Sequence, residues 1–175
     1  MKYANIKNCD IADGLGVRVS LFVSGCHFHC KGCFNEIAWD FGYGKDFTED
    51  TINFIIKLMD NDYIDGLTLL GGEPFEIANQ RELIKLIRKV KEKFPNKNIW
   101  AYSGYLFNNI KDLDGIAHCE VSDEILANID VLVDGQFMID LKDISLKFRG
   151  SSNQRIINVK ETLKSGEITL IKELM

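Results

Sequence analysis

The chain has 175 residues, 46% of them hydrophobic, and a net charge of −5 with basic and acidic residues interspersed. This length suits one unit with its own core and leaves little room for a second, and the lack of a basic face argues against nucleic acid as a partner. No apolar run can span a bilayer, and Met1-Lys2-Tyr3-Ala4-Asn5 is not followed by a signal-like apolar stretch, so a soluble cytoplasmic protein with no membrane partner is expected.

In chain order, Val17–Val23 is rich in β-branched and apolar residues and reads as a buried strand running directly into Ser24-Gly25-Cys26. A helix is predicted from Thr48 to about Asp60. Thr48 caps it, Glu49 and Asp50 suit its positive end, and Ile52, Ile55, Ile56 and Met59 share one face. Leu67–Leu70 is a second strand, ending at Gly71-Gly72-Glu73-Pro74. A second helix, from about Asn79 to Phe94, carries the stripe Leu83, Leu86, Ile87, Val90 and Phe94 and is stopped by Pro95. Asn98–Tyr102 is a third strand, ending at Ser103-Gly104, and Ser122 caps a short helix through Ala127. Ile129–Val133 is a fourth strand, ending at Asp134-Gly135, and Ile156–Val159 a fifth. Strands alternating with helices imply an α/β fold with a mostly parallel sheet. Such sheets place their sites on the loops after the strands, and a complete eight-unit barrel takes about 250 residues. An open, partial (β/α) barrel is therefore expected.

Three of the five cysteines fall in Cys26-His27-Phe28-His29-Cys30-Lys31-Gly32-Cys33, spaced C-x3-C-x2-C; the others are Cys9 and Cys119. An odd count clustered in this way is a poor disulfide framework and a good soft-metal site. Three thiolates on a four-iron cubane leave one iron free for a small molecule. The competing reading is a zinc-stabilised binding module, whose ion needs a fourth protein ligand from His27, His29, Cys9 or Cys119. Otherwise the two histidines read as solvent-facing or outside the ligand set, and Cys9 and Cys119 as ordinary buried thiols. Further on, Gly71-Gly72-Glu73 alone reads as a simple strand-to-loop turn; in the same strand-end layer as the cysteine loop it reads as a ligand loop, where the glycines allow close backbone approach and Glu73 places a negative charge beside a cationic group. Ser103 and Asp134, at two more strand ends, are either turn residues or holders of cofactor hydroxyls, an amino group or a cation.

The cysteine motif together with Gly71-Gly72-Glu73-Pro74 resembles the radical S-adenosylmethionine superfamily. Asp13-Gly14-Leu15-Gly16-Val17-Arg18, Phe22-Val23-Ser24-Gly25-Cys26 and Gly32-Cys33-Phe34-Asn35 narrow the resemblance to glycyl-radical activating enzymes. Trp100-Ala101-Tyr102-Ser103-Gly104-Tyr105, Val131-Leu132-Val133-Asp134-Gly135-Gln136-Phe137 and Arg149-Gly150-Ser151-Ser152-Asn153-Gln154-Arg155 are similar to the family that activates anaerobic ribonucleoside-triphosphate reductase. The resemblance runs from about residue 5 to 157; residues 160–175 match nothing.

The resemblance implies a single radical S-adenosylmethionine domain over 1–175, with a 4Fe–4S cluster on Cys26, Cys30 and Cys33 and S-adenosylmethionine on the open iron. It implies backbone contacts from Gly32, Cys33 and Phe34 to the adenine, and from Gly71, Gly72 and Glu73 to the methionine amino group. Ser103 and Asp134 are further cofactor or cation contacts. The implied reaction is reductive cleavage of the cofactor to methionine and a 5′-deoxyadenosyl radical, which takes a hydrogen from a glycine Cα of the large reductase subunit. A flavodoxin-type protein is the implied electron donor. No acid–base pair or protein nucleophile is expected, because the cofactor carries the chemistry. Gly32 stands where the wider superfamily usually has an aromatic residue, so Phe28 or Phe34 is expected to cover the adenine. The alternative is activation of another glycyl-radical enzyme, or a different small radical S-adenosylmethionine activity. The Arg149–Arg155 tail is expected to shape the docking rim for the reductase, apart from the cofactor site, or to close the barrel.

Overall fold

In the computed structural model, which describes Met1–Met175, the polar N-terminal segment Lys2–Asp10 is a strand, β1. It pairs antiparallel with β2 (Arg18–Val23) and, on its other edge, with the two-residue β3 (Lys45–Asp46). The sequence reading held no strand here, because four of the nine residues of β1 are exposed and no apolar alternation marks it. Its register slips between Lys7 and Asp10, where Cys9 takes a φ of 58°. The irregularity turns Cys9 outward. Cys9 is exposed rather than buried, and Cys119 is half-buried.

The centre of the sheet is parallel: β2, β4 (Gly66–Gly71), β5 (Asn98–Ser103) and β6 (Val131–Asp134). The last strand, β7 (Arg155–Asn158), lies antiparallel to β6. The order β3-β1-β2-β4-β5-β6-β7 is linear, so the sheet is open, with β3 and β7 as its edges.

Helix α1 (Glu49–Met59) starts at Thr48, whose Oγ1 accepts the Thr51 N–H at 3.4 Å. Helix α2 (Ile77–Lys93) begins two residues earlier than expected, and α3 (Phe107–Lys111) is an added short helix. Helix α4 (Ser122–Asn128) is capped by Val121, not by Ser122. The Ser122 hydroxyl is buried and is needed inside: it donates to Gln80 Oε1 at 2.6 Å and accepts the Cys119 N–H at 2.8 Å. A last helix, α5 (Val159–Ser165), follows β7.

Alternation along the strands feeds two cores. Val19, Leu21, Leu67, Leu69, Ile99, Ala101 and Leu132 pack against the apolar faces of α1 and α2. On the opposite face, Trp100, Val131, Val133 and Ile156 pack with Leu174 from the C-terminal tail. The tail is tied back by the Ile171 N–H, which donates to Ile156 O at 2.9 Å. Burial on both faces is why the central strands read as continuous apolar runs. Arg18, fully buried, locks the loop after β1 onto the sheet: Nε donates to Thr68 Oγ1 at 2.6 Å and Nη1 to Leu15 O at 2.9 Å. No helix is long and apolar enough to cross a membrane.

Candidate active site

The loops after β2, β4 and β5, the loop preceding β2 and the 135–154 segment enclose one cavity of about 460 Å³. Cys26, Cys30 and Cys33 line it, together with Gly32, Phe34, Gly71, Gly72, Glu73 and Ser103. Asp134 does not. Its carboxylate is fully buried and turned to β7: Arg155 donates through Nε to Oδ1 at 2.8 Å and through Nη2 to Oδ2, and the Phe107 N–H donates to Oδ2 at 2.8 Å. Outside the cavity lining, Asp134 ties β6, β7 and α3 together and is not placed to hold a cofactor or cation in the cavity. The Arg149–Arg155 tail is likewise not a separate rim: Arg155 serves this buried pair, and Arg149, Gly150 and Gln154 line the same cavity as the cysteines.

The cysteine loop is clamped from three directions. The Gly25 and Cys26 N–H groups donate to Ala38 O and Trp39 O at 2.8 and 3.1 Å, and the Glu73 N–H donates to Gly25 O at 2.8 Å. Glu76 accepts the His27 N–H at 3.0 Å, and Asn79 Nδ2 donates to Ser24 O at 3.0 Å and to Glu73 O at 2.9 Å. Glu76, Asn79 and Gln80 are buried and escaped the sequence reading. Asn79 and Gln80 continue the Leu83–Ile87 stripe toward the helix start, so polar residues on a core stripe were the signal available. His27 packs on Phe41, with Nδ1 3.0 Å from Glu76 Oε1, and His29 stacks on Trp39 with ring centroids 4.7 Å apart. Neither ring lines the cavity.

The glycines at the end of β4 also serve contact between loops. A Cβ on Gly71 would lie 2.6 Å from Val23 N, and one on Gly72 would lie 2.6 Å from Gly25 O and 2.8 Å from Ala38 O. Glu73 is buried and accepts three hydrogen bonds, from the Phe75 N–H at 2.8 Å, the Ser103 hydroxyl at 2.9 Å and the Gly104 N–H at 2.7 Å. Burial nevertheless pushes it up to about 7. Asp13, also facing the cavity, is pushed up to about 7 by burial and then by Asp10 beside it.

No three His, Cys, Asp or Glu side chains form a cage for a single metal ion. A multi-iron cluster binds its thiolates through different irons and so holds the sulfurs apart. Three free thiols facing one cavity fit such a group. Burial pushes the Cys26 thiol up to about 12, and a bound cationic metal centre is what would hold it as a thiolate.

Residues 12–157 match the family model described as a 4Fe-4S single cluster domain. The chain is 40% identical over 156 residues to the anaerobic ribonucleoside-triphosphate reductase-activating protein of Enterobacteria phage T4, covering 89% of this chain and 93% of that protein. It is 37% identical to the protein of the same name from Escherichia coli (strain K12), covering 91% of this chain and 100% of the relative. The corresponding Vibrio cholerae protein is 37% identical, at 89% and 97% coverage. The chain belongs to the anaerobic ribonucleoside-triphosphate reductase-activating protein family. The cluster description of the matched domain supersedes the zinc-module reading. The match ends at 157, and the part of this family member beyond it completes the second core through Leu174.

Proposed function

We propose that the chain, acting as one unit over residues 1–175, activates anaerobic ribonucleoside-triphosphate reductase. It does so by reductive cleavage of S-adenosylmethionine and hydrogen abstraction from a glycine Cα of the large reductase subunit. The observation that carries this is the convergence of three free thiols, a glycine loop and a buried carboxylate on one cavity, in a chain of this family. When bound, the 4Fe–4S cluster supplies one electron to the sulfonium of S-adenosylmethionine, and the cleaved cofactor supplies the hydrogen-abstracting group.

The protein's own work is placement and exclusion of water. Cys26, Cys30 and Cys33 would hold the cluster. Glu73, fixed by the Ser103 hydroxyl and the Gly104 N–H, would accept the cofactor's ammonium, and that cation would draw its carboxyl toward the ionised form. Ser103 thus acts by orienting Glu73. Gly32 and Cys33, which line the cavity, would offer backbone contacts to the adenine. Phe34, 82% exposed at the cavity wall, is free to close over the ring, whereas Phe28 is already engaged edge-on with Tyr105 at 4.6 Å. A flavodoxin-type protein is the electron donor in this reading.

The test is anaerobic. Cluster-loaded protein, reductase and S-adenosylmethionine should give a glycyl-radical signal by electron paramagnetic resonance, with 5′-deoxyadenosine formed alongside it. Cys30→Ala should abolish both. Radical formation that survives in Cys30→Ala would sink the assignment. Cofactor cleavage without any radical on the reductase would favour a different glycyl-radical partner.

A further inference from the structure

The 135–154 segment joins β6 to β7 without an α-helix and is closed on itself. The Ser152 N–H donates to Leu141 O at 2.9 Å, the Asp143 N–H to Gly150 O at 3.2 Å, and Gln154 Nε2 to Gly135 O at 2.9 Å. This strap gives Phe137, Lys142, Ile144, Leu146, Phe148 and Arg149 to the cavity wall. Its short turn Ile139–Leu141 meets the cysteine loop. A Cβ on Gly32 would lie 2.9 Å from Ile139 Cδ1 and 3.5 Å from its Cγ1. Gly32 sits between Cys30 and Cys33 with a φ of +74°, so the same glycine supplies a left-handed turn and a bare surface for Ile139.

We infer that Ile139 is a positioning residue for the cofactor. Seated on the bare Cα of Gly32, it sets how far the strap stands from the cysteine loop, and so the width of the cavity at its adenosyl end. Ile139 itself does not line the cavity; it acts through the two walls it holds together. Width matters because dispersion is short-ranged: a gap of about 0.5–1 Å forfeits roughly a quarter to a half of a contact's energy. A methyl on Gly32 would strain the left-handed turn and turn the tip of Ile139 off its seat, and loss of the Ile139 side chain would leave the strap without this contact to the cysteine loop. This inference rests on the proposed function for the identity of the ligand.

The experiment measures S-adenosylmethionine affinity in cluster-loaded protein, read from the change it causes in the reduced cluster's electron paramagnetic resonance spectrum. Ile139→Ala should weaken binding about tenfold at unchanged iron content, with Ile139→Val in between, because misplaced walls cost binding and orientation together. Gly32→Ala should weaken it as well, and Gly32→Ala with Ile139→Ala should bind more tightly than Gly32→Ala alone, since the second change relieves the clash. In metal-free protein, Ile139→Ala should speed amide hydrogen exchange across 136–150. Wild-type affinity in Ile139→Ala, or a double variant whose losses simply add, would overturn the inference. If wild-type protein failed to bind S-adenosylmethionine, the proposed function would fall. The exchange experiment would still decide the seat, and unchanged exchange at 136–150 would refute it.

Discussion

Glu73 is a carboxyl group the fold keeps close to neutrality. Three donors favour its ionised form, but complete burial outweighs them and pushes it up from 4.5 to about 7. The folded protein therefore holds this proton more tightly than the unfolded chain does. Its contribution to stability is full below about pH 4.5 and is lost as pH rises through about 7, a cost of about 3 kcal/mol when complete. Metal-free protein should unfold at lower urea as pH goes from 5 to 8, and Glu73→Gln should flatten that slope whatever it does to absolute stability. An unchanged slope would mean that Glu73 titrates normally. At this scale the residues that share the cavity were singled out in sequence by the cysteine spacing and by the glycine–acid loop at a neighbouring strand end. Glu76, Asn79 and Gln80 were passed over because a polar residue near a helix start normally faces water; Asn79 and Gln80 carried only their place on the core stripe as a signal, and Glu76 none.

Among the elements, the central strands and the two long helices stand within two or three residues of where hydrophobic periodicity puts them, since burial on two faces or along one stripe writes itself into sequence. β1 and β3 left no such mark, because they are held by backbone pairing on an exposed edge. The direction of β7 was also hidden. It depends on the 135–154 connection, which has no crossover helix and so returns the chain antiparallel. Gly72 shows how one element positions another: it is the surface on which the cysteine loop rests, rather than an opening kept only for the cofactor. Gly72→Ala would bring a methyl to 2.6 Å from Gly25 O and 2.8 Å from Ala38 O, both backbone atoms that cannot swing aside. The expected cost is about 2 kcal/mol of stability, as overpacking brings. Iron retention should fall with it, because the displaced segment carries Cys26. Chemical denaturation and iron per chain would check this. Full iron at wild-type stability would show that the loop yields freely.

For the molecule as a whole, the question is what holds an open sheet around a cavity. Its far edge is β7, and there the fold relies on Arg155 against a carboxylate of zero exposure. The 149–155 segment reads in sequence as a docking rim or a closure of the barrel, and its end faces inward because Asp134, at the end of β6, pairs with Arg155 where Val131–Asp134 is covered on both sides. The same pair fixes the base of the strap, whose first and last residues adjoin Asp134 and Arg155. Breaking it from the arginine side leaves the Asp134 carboxyl group buried with only the Phe107 N–H for company, and losses of one partner of a buried pair run to about 3–5 kcal/mol. Arg155→Ala should therefore lower stability by about 3 kcal/mol, and it should depress cofactor cleavage and partner activation together, since the strap that walls the cavity loses its anchor. Adding Asp134→Asn should recover much of the stability, because an uncharged amide can still accept the Phe107 N–H without an unpaired charge. Urea unfolding of the two variants, run beside the 5′-deoxyadenosine and glycyl-radical assays, separates the outcomes. Loss of partner activation alone, at unchanged stability and cleavage, would return Arg155 to the docking surface. A parallel fall that Asp134→Asn partly reverses would place it in the frame that keeps the open edge closed around the site.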